Sequence, residues 1–404
     1  MLAEARLLPP ALWLVFDRMP EAFIYDAVRT PRGKAKADGG LATLTPQELI
    51  KQQIAALENR SEGAIGQAEA LILGCVGQVG DQGGNIALVS KLHTSLQDDC
   101  AAYSINNYCA SGLSAIGMAA AQVVSGQTKL VLAGGVECMS RVSFMGDNAA
   151  YYNDSSFPAR SLYMPVVLAA DRLTNNEEIS RTELDAVTLA SQQKAAAAEE
   201  NTALQKSRIA TASLDTEECI RPQTKAASLA AMPAAFGGLQ KQYAAALEGE
   251  TFTPQLTLGH APPVCDGAGL AVVGGANLGL RPRARILGFA EAGGDPADSL
   301  TAGFSAMDKV LAKTGLSLEN MERIEFMEAF AVTIAKFMRD RKPDPTRVNV
   351  SGGHIAKGHP MGASGAILVS TLLDSLDACD GTLGLVVMSG ASGVGTAMIV
   401  ERVN

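Results

Sequence analysis

Asn106-Asn107-Tyr108-Cys109-Ala110-Ser111-Gly112-Leu113 stands between a strand-like run at 102–105 and an apolar helical pattern at 112–125. A cysteine followed by three small residues at the start of a long helix is a nucleophile position. The first N–H groups of a helix have no intrahelical acceptor, and the positive end of its dipole favours an anion. Such surroundings lower a thiol pKa from about 8.5, and the same N–H groups can hold an oxyanion that develops on a substrate carbonyl. Small neighbours leave room for that carbonyl to approach. The competing reading is a buried, inert cysteine, and it is preferred for Cys75, Cys100, Cys219 and Cys379.

Working outward, strand-like runs at 22–28, 70–76, 102–105 and 129–133 alternate with helical patterns at 85–96 and 112–125, which predicts parallel α/β units. The stretch 151–244 is more polar, carries the charged run 175–185 and an alanine-rich helical segment at 189–200, and reads as an inserted subdomain. Strand character returns at 268–275 and 283–288. A second α/β half follows.

The second half repeats the first. Gly362-Ala363-Ser364-Gly365 opens an apolar helix that ends near Leu376, and the strand at 383–388 meets Ser389-Gly390, as Cys109-Ala110-Ser111-Gly112 opens a helix followed by the strand that meets Gly134-Gly135. Two like halves would place both helix starts around one cleft. The alternative is a chance recurrence of Ala-Ser-Gly in a chain rich in both alanine and glycine. The loop before the second helix, Gly358-His359-Pro360-Met361, holds a histidine between a glycine and a proline, where its role is to present an imidazole. His359 is the candidate base for Cys109 and a hydrogen-bond donor to a substrate carbonyl.

Composition bounds the rest. At 404 residues and 47% hydrophobic content the chain can fill more than one core, and a net charge of -9 argues against a nucleic-acid or anionic-membrane partner. Seven cysteines without CxxC pairs and four histidines suggest neither a disulfide framework nor a metal site, and fit a reduced cytoplasm. The apolar run at 7–16 is broken by Pro9 and Pro10 and is too short to span a membrane. Residues 1–19 read as an N-terminal extension.

The Cys109 and His359 segments resemble the nucleophile and histidine motifs of the thiolase family. The resemblance runs from Ala22-Phe23-Ile24-Tyr25-Asp26-Ala27-Val28-Arg29-Thr30-Pro31-Arg32-Gly33 through Ala133-Gly134-Gly135-Val136-Glu137 and Ser191-Gln192-Gln193-Lys194-Ala195-Ala196 to the C-terminus. The relatives it suggests are fatty-oxidation and acetoacetyl-CoA thiolases, including β subunits of trifunctional complexes. It implies an α/β thiolase fold of two similar halves in five α-β-α-β-α layers: 20–138 with 256–281, then 282–404, with a CoA-binding loop subdomain inserted at 139–255. It further implies ping-pong acyl transfer through an acyl-Cys109 thioester, with a coenzyme A thioester as substrate and no permanently bound cofactor. A homodimer or homotetramer, with a heteromeric subunit as a further option, is the implied assembly.

Four departures from the family pattern fall at positions the mechanism uses. Ser389, followed by Gly390, takes the place of the second cysteine, and a hydroxyl is a poor base toward a C–H. Met327, in Met327-Glu328-Ala329-Phe330, replaces an asparagine that helps to hold an enolate oxygen. Pro262, in Gly259-His260-Ala261-Pro262, replaces a CoA-contacting serine and removes a backbone donor. The segment from Tyr163-Met164-Pro165 follows the pantetheine side only loosely. Arg221-Pro222 resembles the pair near the CoA adenine, so Arg221, His260, Pro262 and Met164 are the candidate CoA contacts. The expected function is an acyl-CoA acyltransferase, by family an acetyl-CoA C-acyltransferase. Ser389 and Met327 could be tolerated variants of an ordinary thiolase in which Cys138, Cys265 or His260 supplies a replacement acid or base. The alternatives are an acyltransferase or thioester hydrolase without carbon-carbon chemistry, and a non-catalytic CoA-binding subunit.

Overall fold

The structure, a computed structural model, describes residues 21–403, so the N-terminal extension lies outside the described residues. Ten strands form one twisted sheet: β1 (Phe23–Arg29), β2 (Gly33–Lys34), β3 (Ala70–Gly74), β4 (Ala101–Ile105), β5 (Leu130–Cys138), β6 (Cys265–Gly274), β7 (Ala284–Gly293), β8 (Arg323–Phe326), β9 (Leu383–Gly390) and β10 (Val394–Arg402). Among the described residues eleven α-helices accompany them: α1 (Pro46–Arg60), α2 (Ile86–Leu92), α3 (Ser111–Val124), α4 (Val166–Asn176), α5 (Arg181–Glu199), α6 (Ala226–Ala230), α7 (Gly238–Gln242), α8 (Ala302–Thr314), α9 (Ala331–Arg341), α10 (His354–Lys357) and α11 (Ser364–Cys379).

The strand order is β4-β3-β5-β6-β1-β7-β10-β9-β8, with β2 on β6. Setting aside the edge strand β4, the order β3-β5-β6-β1 is mirrored by β8-β9-β10-β7, so the internal repeat is a repeat of topology. The expectation of parallel units holds only in part. β3 pairs in parallel with β4 and β5, and β8 with β9, but β5/β6, β6/β1, β1/β7, β7/β10 and β10/β9 are antiparallel. The reason is connectivity. β9 turns into β10 through the three residues 391–393, and a turn that short can only reverse the chain.

Alternation along the strands shows what covers each face. In β7 a side chain at Gly288 would meet Val310 and Thr314 of α8, whereas Phe289 points the other way and fills the space over Gly117 of α3. In β6, Gly269 faces the backbone of α11 at Ile367, and Leu270 joins the core that α1 shares with β3 and β5. Thus α3 and α11 form a middle layer between the two halves. On the far side of the second half, Phe304 of α8 and Phe337 of α9 pack on Phe326 of β8, with ring centroids 5.2 and 4.2 Å away.

The two middle helices meet through their glycines. A Cβ on Gly112 would lie 2.7 Å from the Gly362 carbonyl oxygen, and one on Gly365 would lie 2.4 Å from the Leu113 nitrogen. No side chain larger than hydrogen fits either position without moving backbone, so the two helix starts are held in backbone contact. The segment between β5 and β6 contributes α4 to α7, and Tyr152, Tyr163, Val167 and Phe236 from it line a cavity shared with Cys109.

Candidate active site

Cys109 precedes α3 on a backbone that bends sharply. Tyr108 adopts a left-handed φ of 46°, and its N–H is held by the Asn106 side-chain oxygen at 3.0 Å. Ser111 closes the turn: its Oγ accepts from Asn107 N–H at 2.8 Å and donates to the Tyr108 carbonyl at 2.5 Å. These bonds turn the Cys109 side chain into an apolar cavity of about 300 Å³, which His359 also lines.

His359 is set by the other half. Its N–H donates to the Pro263 carbonyl at 2.8 Å, and its Nδ1 lies 2.6 Å from Ser364 Oγ at the start of α11. Its Nε2 is buried with no partner among the described residues. A serine hydroxyl can accept or donate, and this decides what Nε2 offers. With the proton on Nδ1, given to Ser364, Nε2 is a base; with Ser364 donating to Nδ1, Nε2–H can donate to a carbonyl. One hydroxyl therefore supports both halves of an acid–base cycle.

The electrostatics depart from the expected helix-start effect. Burial pushes the Cys109 thiol up to about 12, the nearby Glu137 carboxylate adds to the rise, and the N–H groups of Ala391 and of Cys109 itself work against it without prevailing. Burial, with the Arg32 guanidinium second, pushes His359 down to about 3. The resting pair is thus a neutral thiol and a neutral imidazole. The two N–H groups nevertheless converge on the sulfur, one from each half of the molecule. A carbonyl carbon bonded to that sulfur would place its oxygen within their reach, which is the arrangement that stabilises a tetrahedral oxyanion.

Two buried carboxylates brace the site. Glu137 accepts from the N–H groups of Val76, Gly77 and Gly362 at 2.9, 3.0 and 2.9 Å, tying β5 to the loop after His359. Glu328 accepts from Ser191 Oγ at 2.7 Å and from Asn349 Nδ2 and Ile355 N–H at 3.1 Å each. Its neighbour Met327 faces the cavity instead. Neither carboxylate, nor Ser364, was singled out as a site residue from the sequence, although all three fall inside the motifs.

The remaining sequence candidates divide. Pro262 lines the cavity. Ser389 is buried but does not line it: its hydroxyl packs on α8, where a Cβ on Gly303 would come within 2.4 Å of it. Gly390, one residue on, faces Cys109, with a Cβ position 3.4 Å from the Cys109 nitrogen. His260 is turned away altogether. Its Nε2 donates to Asp185 at 2.7 Å while Nδ1 accepts from Thr257 N–H at 3.2 Å, so both nitrogens serve the fold of the inserted segment. Met164 is buried in a small core with Leu168 and Leu247, next to the cavity-lining Tyr163. Arg221 is exposed and away from the cavity, with its N–H held by Gln192. Cys138 and Cys265 are buried in strands and do not line the cavity, so neither supplies a second thiol beside Cys109.

Residues 22–274 match the family model of the thiolase N-terminal domain, and residues 280–402 that of the thiolase C-terminal domain. The chain belongs to the thiolase family. It is 32% identical over 418 residues to the β-ketoadipyl-CoA thiolase of Pseudomonas knackmussii, covering 95% of this chain and 99% of that protein. It is 30% identical to a steroid 3-ketoacyl-CoA thiolase of Mycobacterium tuberculosis, over 95% of each. Among solved structures, the acetyl-CoA acetyltransferase of Bacillus anthracis superposes with a TM-score of 0.81 at 27% identity, covering 95% of this chain and 99% of that one. This thiolase-family chain is accordingly an acyltransferase with the thiolase fold, and the mirrored strand order is the architecture of that family seen in its own residues.

Proposed function

We propose that the chain transfers acyl groups from coenzyme A thioesters through an acyl-Cys109 intermediate, and that its carbon-carbon step is weak or lost. The reading rests on one observation: the cavity brings Cys109 and the unpartnered Nε2 of His359 together, while among the described residues no other thiol and no carboxylate lines it. As the Cys109 sulfur attacks the thioester carbon, its proton passes to His359 Nε2. The oxyanion rests on the N–H groups of Cys109 and Ala391, and coenzyme A leaves as its thiol, taking the proton back. A second thiol or water then reverses the sequence. Making a carbon-carbon bond would require a second base to remove a proton next to a thioester carbonyl. Ser389 packs on α8 and Met327 offers only a thioether, so that base is missing from the cavity.

Intact-protein mass analysis after incubation with acetyl-CoA tests the first step, which should load Cys109 and leave Cys109→Ala unmodified. CoA-dependent cleavage of acetoacetyl-CoA tests the second. If the parent chain cleaves as fast as the Ser389→Cys, Met327→Asn double variant, the loss of carbon-carbon chemistry is wrong.

Self-association is part of the same proposal. Every residue of the edge strand β4 keeps some exposure, its Tyr103 is 45% exposed, and Leu92 at the end of α2 is 68% exposed. An apolar strand edge open on one side is a template for a second copy of the chain. Light scattering should find a dimer that Tyr103→Lys weakens.

A further inference from the structure

Apart from the Cys109 thiol and His359 Nε2, the hydroxyls on the cavity wall are already engaged. Three tyrosines line it. The Tyr152 hydroxyl donates to Asp147 at 3.1 Å, the Tyr163 hydroxyl meets the Met145 sulfur at 3.8 Å, and the Tyr108 hydroxyl is hydrogen-bonded to the Ser392 side chain. Most of the remaining wall is apolar: Phe144, Phe236, Phe330 and Pro262 with alanine, valine, leucine and methionine side chains. Among the described residues, no lysine or arginine and no histidine but His359 lines it. The buried guanidinium of Arg32, whose charge acts on His359, is held by both oxygens of Glu217. The charge that does approach the wall is negative, the Asp147 carboxylate behind Tyr152.

We infer that the acyl group this cavity takes is uncharged and apolar, and that an acyl chain ending in a carboxylate is rejected. This rests on the reading of Cys109 as the acyl acceptor. The phosphates and the amide arm are common to every coenzyme A thioester, so discrimination between two thioesters of equal length falls on the far end of the acyl chain. A carboxylate there would shed its water against phenyl and methyl groups, find no cation and face Asp147. An alkyl end loses nothing by the same move and gains from burial. The adipyl group, which figures in the names of several relatives, is the excluded kind.

Hexanoyl-CoA and adipyl-CoA are matched in length and differ in the terminal carboxylate. Acylation of Cys109 followed by mass spectrometry should be about a hundredfold or more faster with hexanoyl-CoA, given the cost of desolvating an unpaired ion. Calorimetric binding to the Cys109→Ala variant should show the same preference without any chemistry. Equal rates and equal affinities overturn the inference while leaving acyl transfer intact. If neither thioester loads the parent chain but hexanoyl-CoA still binds the variant better, the cavity reading stands and the acyl-transfer reading falls. Equal binding with no loading sinks both. A cation placed on the wall by Val167→Lys should move the binding preference at least tenfold toward adipyl-CoA, and an unchanged ratio would show that the acyl group lies elsewhere.

Discussion

The starts of α3 and α11 share the sequence Ala-Ser-Gly and the same place in mirrored halves, yet their serines do different work. Ser111 spends its hydroxyl on the backbone of Asn107 and Tyr108, holding the bend that presents Cys109. Ser364 spends its hydroxyl on the imidazole of His359. The fold presents one geometry twice, and the preceding loops differ: one carries Cys109, the proposed nucleophile, and the other His359, the proposed base. The glycines did not diverge in role, because both lie in backbone contact across the middle layer.

That comparison can be broken at several points. The largest effect is expected from Cys109→Ser, which should lower acyl-enzyme formation by on the order of 10^4-fold or more, as loss of a nucleophile does elsewhere, measured in single-turnover assays with hexanoyl-CoA. His359→Asn should cost about 10^2- to 10^4-fold in the same assay, the range of a positioned acid–base group, with the fold intact by circular dichroism. Gly365→Ala should destabilise by about 1–3 kcal/mol through overpacking, whereas Gly66→Ala, with open space around its Cβ position, should leave the melting temperature almost unmoved. The two serines give the sharpest contrast. Ser364→Ala should slow acylation about tenfold with little change in stability, and Ser111→Ala should cost about 1 kcal/mol of stability. The reverse pattern would contradict the division of labour.

The smallest effect is an absence. With the thiol pushed up to about 12 and the imidazole down to about 3, the acylation rate should run level from pH 5 to 8, without an inflection near an ordinary histidine value. Stability should not be level. His359 has a folded pKa below its unfolded one of about 6.5, so the unfolded chain binds the proton first. Its stabilising contribution is complete above about pH 6.5 and is lost as the pH falls toward 3. Thermal melts across that range should show the decline, and His359→Asn should lessen it.

Much of the architecture was legible because glycine, proline and small residues mark where backbone must approach backbone. The repeat of α/β elements could be read from residues close in sequence. The antiparallel centre of the sheet could not, since strand direction follows from connections that span the inserted segment. Side-chain direction at a strand end was equally hidden. Ser389 and Gly390 are neighbours in β9, and a period of two sends one to α8 and the other to Cys109. His260 reads as a candidate contact until Asp185, far away in sequence, is brought to its ring. The rise of the Cys109 thiol was missed for a related reason. A helix start is local, whereas burial is the sum of everything packed around it, here including Glu137 and the second half.

The backbone contact between the starts of α3 and α11, at Gly112 and Gly365, also has a meaning for the chain as it is made. Cys109 leaves the ribosome roughly 250 residues before His359, an interval on the order of tens of seconds at ordinary rates of synthesis. During that time the first half carries a thiol with no imidazole beside it and only one of its two converging N–H groups, since Ala391 has not yet been made. Docking of the second half supplies both at once. On the proposed roles of Cys109 and His359, acyl transfer waits for the completed chain, and a product that ends before residue 359 lacks the proposed base.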